Sequence, residues 1–527
     1  MLSRFALLCA VCLCFAHSLL AVEVAPIFSD HMVLQREAPV SIWGQAAAGA
    51  TVTIEFAGQT TTGKADANGT WKISLQPLPA SVESRELSVR AENDPEQVTF
   101  KDVLVGDVWV GSGQSNMAGT VSSYAARDET LDALLQKSYP SIRLARGLAG
   151  RANGPRWQVA TPEAARAFSA LLFPFGERLH RELNVPIGLI VGAVGGTPSG
   201  SWIPPQTFTD SQLCRESIAE FAKTYDHDAA EKRYREALKA WEAAVAAAKA
   251  AGEKPRGRQP APPAKPGEMT RGGAIGGLYE RHIGPAVGYR IRGVLWDQGE
   301  AGSGMLGVDQ LTMMSELIRG WREQWGQGEF PFLFVQKPSG GGCAYAGDDA
   351  ITRNASKFSP LPINPSFIGA PSLSRYLYVR LMQTQPHAWM VPCSDLGGTI
   401  HPLNKWGYGN RAAEVALSRV YRQKLQAYGP TYRGHKIDGD KVIVEFNEIG
   451  SGLVAAHSDK LQGFAIAGAD GVWHWADATI QGDTVVLHSD KVAKPKHACY
   501  AFAQQIPWAN LFNKEGKHAL CFTTVAP

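Results

Sequence analysis

Neither sign of charge prevails in this 527-residue chain, and charge of any kind is sparse. There are 52 Lys+Arg against 49 Asp+Glu, charged residues make up 19%, and the formal net charge is +3. No dense Lys/Arg block occurs, so a phosphate backbone finds no footprint and nucleic acid is not expected as a partner. Gly and Pro together make about 16% of the chain, well below the range of low-complexity sequence. Long apolar runs are missing after the first twenty or so residues, so no later segment is expected to span a bilayer. The chain has eight cysteines, three of which (Cys9, Cys12, Cys14) precede residue 22. Cys214, Cys343, Cys393, Cys499 and Cys521 form an odd, scattered set that is no disulfide framework, although one or two pairs stay open. The chain beyond residue 21 holds no CxxC, and HExxH occurs nowhere, so neither a metal nor another cofactor is expected. A length of 527 residues and 45% hydrophobic content are enough for roughly three domains and a large core.

The first 21 residues are of another kind. Arg4 is the only charged residue before Val22; it precedes the apolar run Phe5 to Ala16, and a short tail ends at the small residue Ala21. This is the pattern of a cleaved signal peptide over 1–21, and it predicts a secreted or periplasmic protein with no membrane span after cleavage.

Residues 22–100 predict a β domain. Short β-rich runs such as Val40-Ser41-Ile42-Trp43, Thr51 to Phe56 and Trp71 to Leu75 are separated by turn formers, as in a sandwich. Residues 426–527 repeat the style, with Lys441 to Phe446 and Thr484 to Leu487. Between them, 101–425 changes period. Phe175 to Leu183 and Asn410 to Tyr428 have helical spacing, whereas Ile187 to Val191 and Phe332 to Val335 are continuous apolar runs, suited to parallel strands covered on both faces. Within this region 207–268 reads as a peripheral insertion: an Ala/Glu/Lys-rich helix from Asp226 to Ala251, then a Pro-rich stretch.

In an open α/β sheet, ligands sit beyond the carboxyl ends of the strands. Four apolar runs lead directly into polar, Gly-containing segments. Val108-Trp109-Val110 leads to Gly113-Gln114-Ser115-Asn116-Met117, where Ser115 on a sharp turn has the placement a weak hydroxyl nucleophile needs, with its own N–H beside the developing oxyanion. A turn-capping serine is the structural alternative. Ile187 to Val194 leads to Gly195-Gly196-Thr197, whose glycines permit close backbone approach to a ligand. Gly293 to Trp296 leads to Asp297-Gln298-Gly299-Glu300, in which Gln298 can donate to an oxyanion. Two carboxylates this close in one loop suit a glycosidase poorly, since such pairs straddle the bond at roughly 5–9.5 Å. Ala388 to Val391 leads to Cys393-Ser394-Asp395-Leu396-Gly397-Gly398-Thr399-Ile400-His401, where His401 is a candidate general base.

Gly113-Gln114-Ser115-Asn116-Met117, Gly195-Gly196-Thr197, Trp296-Asp297-Gln298-Gly299-Glu300 and Ile400-His401-Pro402-Leu403-Asn404-Lys405 together resemble the sialate O-acetylesterases, a branch of the SGNH hydrolases. Phe28 to Gln35, Gly463 to Gly468 and Asn510 to Gly516 extend the resemblance nearly end to end. It implies an SGNH-type three-layer α/β/α domain with a mainly parallel sheet, flanked by N- and C-terminal β-sandwich-like domains. It implies Ser115 as nucleophile and His401 as base. The Ser115 N–H, Gly196 (or Gly195) and Gln298 would form the oxyanion hole, with Glu300, Asn116 and Gln114 in the surrounding network. Thr197, Trp202 and Asp297 are expected near the substrate. The chain departs from the family at Asp297, where Tyr is common, at Ala301-Gly302, where Ser-Asn is common, and at Thr399, where many members carry Asp. Three partners for the histidine are therefore open: Asp395, a backbone carbonyl, or Asp297 or Glu300. The carbonyl-supported dyad is preferred over the Asp395 triad.

The implied function is removal of O-acetyl groups from carbohydrate by a serine esterase that needs no cofactor. The alternatives are an acetyl esterase on plant or algal polysaccharide, of acetylxylan type, and a non-catalytic carbohydrate-binding protein.

Overall fold

The structure, a computed structural model, describes residues 21–92, 94–146, 156–365 and 370–525, without the side chains of 370–373. Apart from Ala21, the expected leader lies outside the described residues.

A mixed sheet carries the candidate site. Its strands are β1 (Gln97–Gly113), β2 (Tyr139–Arg146), β3 (Arg156–Ala160), β4 (Ile187–Ala193), β5 (Gly293–Asp297), β6 (Phe332–Val335) and β7 (Ala388–Val391). They lie in the order β3-β2-β4-β1-β5-β6-β7, all parallel except β3, which pairs antiparallel with β2 at the edge. The chain builds outward from β1 to one side with β2 and β4, then to the other with β5, β6 and β7. β1 is therefore the switch point, beside which such sheets bind ligands. The apolar runs are what central parallel strands require: every residue of β5 and β6 is buried.

Among the helices are α1 (Ser115–Ala118), α2 (Leu172–Leu183), α3 (His227–Ala250), α4 (Gln310–Trp325) and α5 (Lys405–Arg419). Asp309 caps α4 by accepting from the Leu311 and Thr312 N–H groups at 2.8 and 3.0 Å. The buried face of α4 includes Met313, Leu317, Trp321 and Trp325. α2 and α5 pack closely because Gly409 has no side chain; a Cβ there would stand 2.7 Å from the Leu171 carbonyl. By contrast, α3 buries none of its residues. The segment after it is largely exposed through residue 262.

Two expectations need correction. The helix predicted over Asn410 to Tyr428 is instead Lys405–Arg419. Arg422 at φ +56° breaks it, and the apolar spacing beyond serves packing in coil, where the Tyr428 hydroxyl donates to the Met390 carbonyl at 2.7 Å. The boundary expected at 100/101 falls inside β1, an unbroken 17-residue strand. Its first half pairs antiparallel with Ser81–Ala91, which pairs with Thr51–Phe56; its second half pairs with β4 and β5. On the C-terminal side, Thr431–Asp438, Lys441–Asn447, Thr484–His488 and Asp477–Gln481 form one antiparallel sheet. Trp473–Trp475, Phe464–Ala467, His497–Tyr500 and Phe522–Thr523 form another. All five cysteines after residue 21 are free thiols, each buried. No helix among the described residues is long and apolar enough to cross a membrane.

Candidate active site

At the end of β1, Gly113 pairs with Ala193 of β4 and Asp297 of β5. It adopts φ +126°, and a Cβ there would lie 2.1 Å from the Asp297 carbonyl oxygen. Only glycine fits this position. The next residue locks the turn, the Gln114 N–H donating to the same carbonyl at 2.8 Å. Ser115 then opens the single turn α1, half-buried, at the carboxyl edge of the sheet.

His401 arrives from the opposite direction, in the exposed loop between β7 and α5. Its Nε2 lies 2.8 Å from Ser115 Oγ, so in the tautomer with a bare Nε2 the hydroxyl donates to the ring. This is the reach a general base needs. No described residue hydrogen-bonds Nδ1. Asp395 is not brought to it: buried in the interior, its two oxygens accept from Arg411 at 3.1 and 3.0 Å. The guanidinium holds the Asp395 carboxyl below its ordinary range against the effect of burial.

What holds the two loops together is a buried polar network. Glu300 accepts from Gln114 Nε2 at 2.7 Å, Asn116 Nδ2 at 3.2 Å and Lys337 Nζ at 2.7 Å. Lys337 also reaches Asp297 at 2.7 Å, and the two carboxylates keep its ammonium charged well above the usual lysine range despite burial. Asn116 donates to the Ile400 carbonyl at 3.0 Å and accepts from Lys405 Nζ at 2.5 Å. Burial lowers the Lys405 pKa to about 7, against the pull of Asp297 and Glu300. Its ammonium sits 4.7 Å from the centre of the Tyr124 ring.

The remaining expected residues divide. Gly195 is exposed beside the nucleophile; a Cβ on it would lie 3.5 Å from that of Ser115. Gly196 follows at φ +74° with open space around it. Among the described residues, none accepts a hydrogen bond from the Ser115, Gly195 or Gly196 N–H. Gln298 is different: it is fully buried, and its amide nitrogen donates to the Gly302 carbonyl at 3.0 Å and the Thr197 carbonyl at 3.4 Å. Its carbonyl oxygen accepts from Ser199 and Gln310. With both ends committed, Gln298 braces the two loops and has no donor left for an oxyanion. Trp202 is likewise no sugar platform. It is fully buried, edge-on to Trp296 at 6.1 Å, and its Nε1–H donates to Thr197 Oγ1 at 2.9 Å. Thr197 donates in turn to the Val194 carbonyl at 2.8 Å, which fixes the Gly195-Gly196 turn.

Sequence reasoning missed Lys337 and the role of Lys405. The signal for Lys337 was present, since Gln336-Lys337 follows the apolar run of β6 just as the other four segments follow theirs. Beside Glu300 and Ile400 opens a cleft of about 580 Å³, lined also by Lys337, Ser339, Thr399 and, from the C-terminal region, Gln504 and Gln505. No group of three or more His, Cys, Asp or Glu among the described residues is placed to hold a metal ion.

The geometry is that of a serine hydroxyl poised on an imidazole. Residues 105–251 match the family model for carbohydrate esterase, sialic acid-specific acetylesterase. The chain is 28% identical to the sialate O-acetylesterase of Rattus norvegicus over 456 residues, covering 77% of this chain and 75% of that protein. It is 32% identical to the Homo sapiens sialate O-acetylesterase over 203 residues, 34% of this chain and 38% of that protein. A crystal structure of a carbohydrate acetylesterase from Xanthomonas citri superposes with a TM-score of 0.72 at 26% identity, over 96% of this chain and all of that one. The resemblance to the sialate O-acetylesterases thus holds across most of the chain, and the protein is a carboxylic ester hydrolase.

Proposed function

We propose that the chain is a secreted or periplasmic serine esterase that removes O-acetyl groups from carbohydrate through an acetyl-enzyme on Ser115. The observation that carries this reading is the 2.8 Å contact between Ser115 Oγ and His401 Nε2 at the switch point of the sheet. Ser115 Oγ attacks the acetyl carbonyl carbon as His401 Nε2 takes its proton. The oxyanion is held by the Ser115 N–H and by the N–H of Gly195 or Gly196, all three without an internal acceptor among the described residues; Gln298 takes no part. Collapse of the tetrahedral adduct breaks the bond to the sugar oxygen, which receives the proton from His401. Water then attacks the acetyl-serine with His401 again as base, and acetate leaves. The site is a dyad: Asp395 serves the Arg411 pair, and His401 is positioned through its backbone by Asn116.

The β2-β4-β1-β5-β6-β7 order supports an SGNH-type three-layer core, with a β-sandwich-like module on its C-terminal side and another on its N-terminal side that shares the strand Gln97–Gly113 with it. The sequence of 1–21 supports a cleaved leader. As to substrate, sialate O-acetyl esters are the reading from the relatives. An acetylated plant or algal polysaccharide is the second, favoured by a cleft that extends from Glu300 past Ile400 to Gln504 and Gln505.

The test is acetate release from p-nitrophenyl acetate, O-acetylated sialic acid, acetylated xylan and acetylated pectin, with Ser115→Ala as control. Release no faster than the control on all four ends the esterase reading. Activity on p-nitrophenyl acetate alone ends the carbohydrate assignment.

A further inference from the structure

A second cleft lies at the other end of the sheet. It opens at the amino ends of β5, β6 and β7, away from Ser115, and encloses about 320 Å³, within the range of small-ligand sites. Five arginines line it, Arg36, Arg290, Arg292, Arg419 and Arg422, together with the half-buried indole of Trp389.

Three of the arginines are spoken for. Arg36 and Arg292 converge on Asp107 at 3.0 and 2.9 Å and share Glu37, while Arg419 pairs with Glu448. Glu329, the other carboxylate on the rim, faces His387 at 3.7 Å. Arg290 and Arg422 have no ion-pair partner among the described residues. Arg290 is half-buried, and both that burial and the like charge of Arg292 work against its own charge, as its lowered pKa reflects. Arg422 is exposed on a left-handed turn at φ +56°. Two unpaired guanidiniums beside a partly exposed indole combine a fork for a carboxylate with a face on which a sugar ring can stack. A neutral sugar would leave the guanidiniums unpaired, and an inorganic anion would leave the indole unused.

We propose that this cleft binds a carboxylated saccharide, a uronic or sialic acid unit, at a site separate from the Ser115–His401 pair. Such a site tethers an acidic glycan without touching the acyl chemistry, and it stands independently of the esterase reading.

The test is titration calorimetry of the full-length Ser115→Ala protein with digalacturonate and with N-acetylneuraminate at fixed ionic strength, against xylobiose and sodium sulfate. The acidic saccharides should bind, and xylobiose should not bind this cleft. Arg290→Gln/Arg422→Gln in the same background should weaken binding at least about tenfold, the scale of a lost charge-assisted fork. The exposed Arg422→Gln alone should weaken it by a smaller factor. In the chain that keeps Ser115, Arg290→Gln/Arg422→Gln should leave p-nitrophenyl acetate turnover unchanged. Equal binding by the double variant would place the saccharide elsewhere, and sulfate binding as tight as the saccharide's would reduce the cleft to a general anion site. Either result, or no heat from any saccharide, overturns the proposal.

Discussion

Asn116 donates from its side-chain nitrogen to the carbonyl of Ile400 at 3.0 Å, so the residue after the serine holds the residue before the histidine. With Nδ1 of His401 unpartnered among the described residues, this bond fixes the backbone beside the ring to the serine turn. Misplacing reacting groups by about 1 Å costs on the order of 10²-fold. Asn116→Ala should therefore lower kcat about 10²-fold on p-nitrophenyl acetate with little change in KM. An unaltered kcat would show that the ring is held by other means.

Asp395→Asn separates stability from catalysis. Removing the charge leaves Arg411 buried and short of a partner, which costs about 3–5 kcal/mol for a broken buried pair. Urea unfolding should show that loss, while kcat of the folded fraction stays within about tenfold, against roughly 10⁴ for a true triad acid. A collapse of kcat in folded protein would restore the triad.

Lys405 gives stability a pH slope. Its pKa is about 7 in the folded chain and about 10.5 when unfolded, so between these values the unfolded chain binds more protons. Stability contributed by this group therefore rises from pH 7 upward, by at most about 1.4 kcal/mol per pH unit, and is lost below pH 7. Lys405→Met should remove that part of the slope, read as the difference between the two proteins' unfolding free energies at pH 7 and pH 9. Parallel curves would place the ammonium outside the low-dielectric site.

Gly113→Ala drives a methyl against the Asp297 carbonyl and imposes a strained φ. The expected cost is about 2–5 kcal/mol from overpacking and backbone strain combined. Near-UV circular dichroism and thermal unfolding check this; wild-type stability would mean that β5 moves aside freely.

Limited trypsin digestion should cut first within 254–267, where Arg256 and Arg258, neither followed by proline, lie in exposed coil after a helix with no buried side chain. Esterase activity should survive. Loss at the first cut would make this segment part of the site.

The sequence disclosed where the chemistry sits better than how it is wired. A strand ending in a glycine and a reactive residue is a local pattern, so Ser115, Gly195 and His401 were legible one by one. Which way a side chain points after the strand ends is not local. Gln298 and Glu300 share one short loop, yet the first turns inward to Ser199 and Gln310 and the second reaches Gln114 and Asn116. The lysines were harder still. Lys337 and Lys405 are 68 positions apart, and a buried ammonium is tolerable only where folding supplies its counter-charges. Trp202 poses the opposite problem: an indole near a Gly-rich loop fits a core place as well as one beside the substrate, and only the Trp296 ring packed against it puts it in the core.

The unbroken strand Gln97–Gly113 ties the reactive serine to the outermost β-structure by a single length of backbone. The N-terminal β-structure is part of the same beam on which the serine is mounted: removing everything before residue 97 strips Val33–Gln35 and Ser81–Ala91 from the ladder and leaves the near half of that beam as a bare, sticky edge.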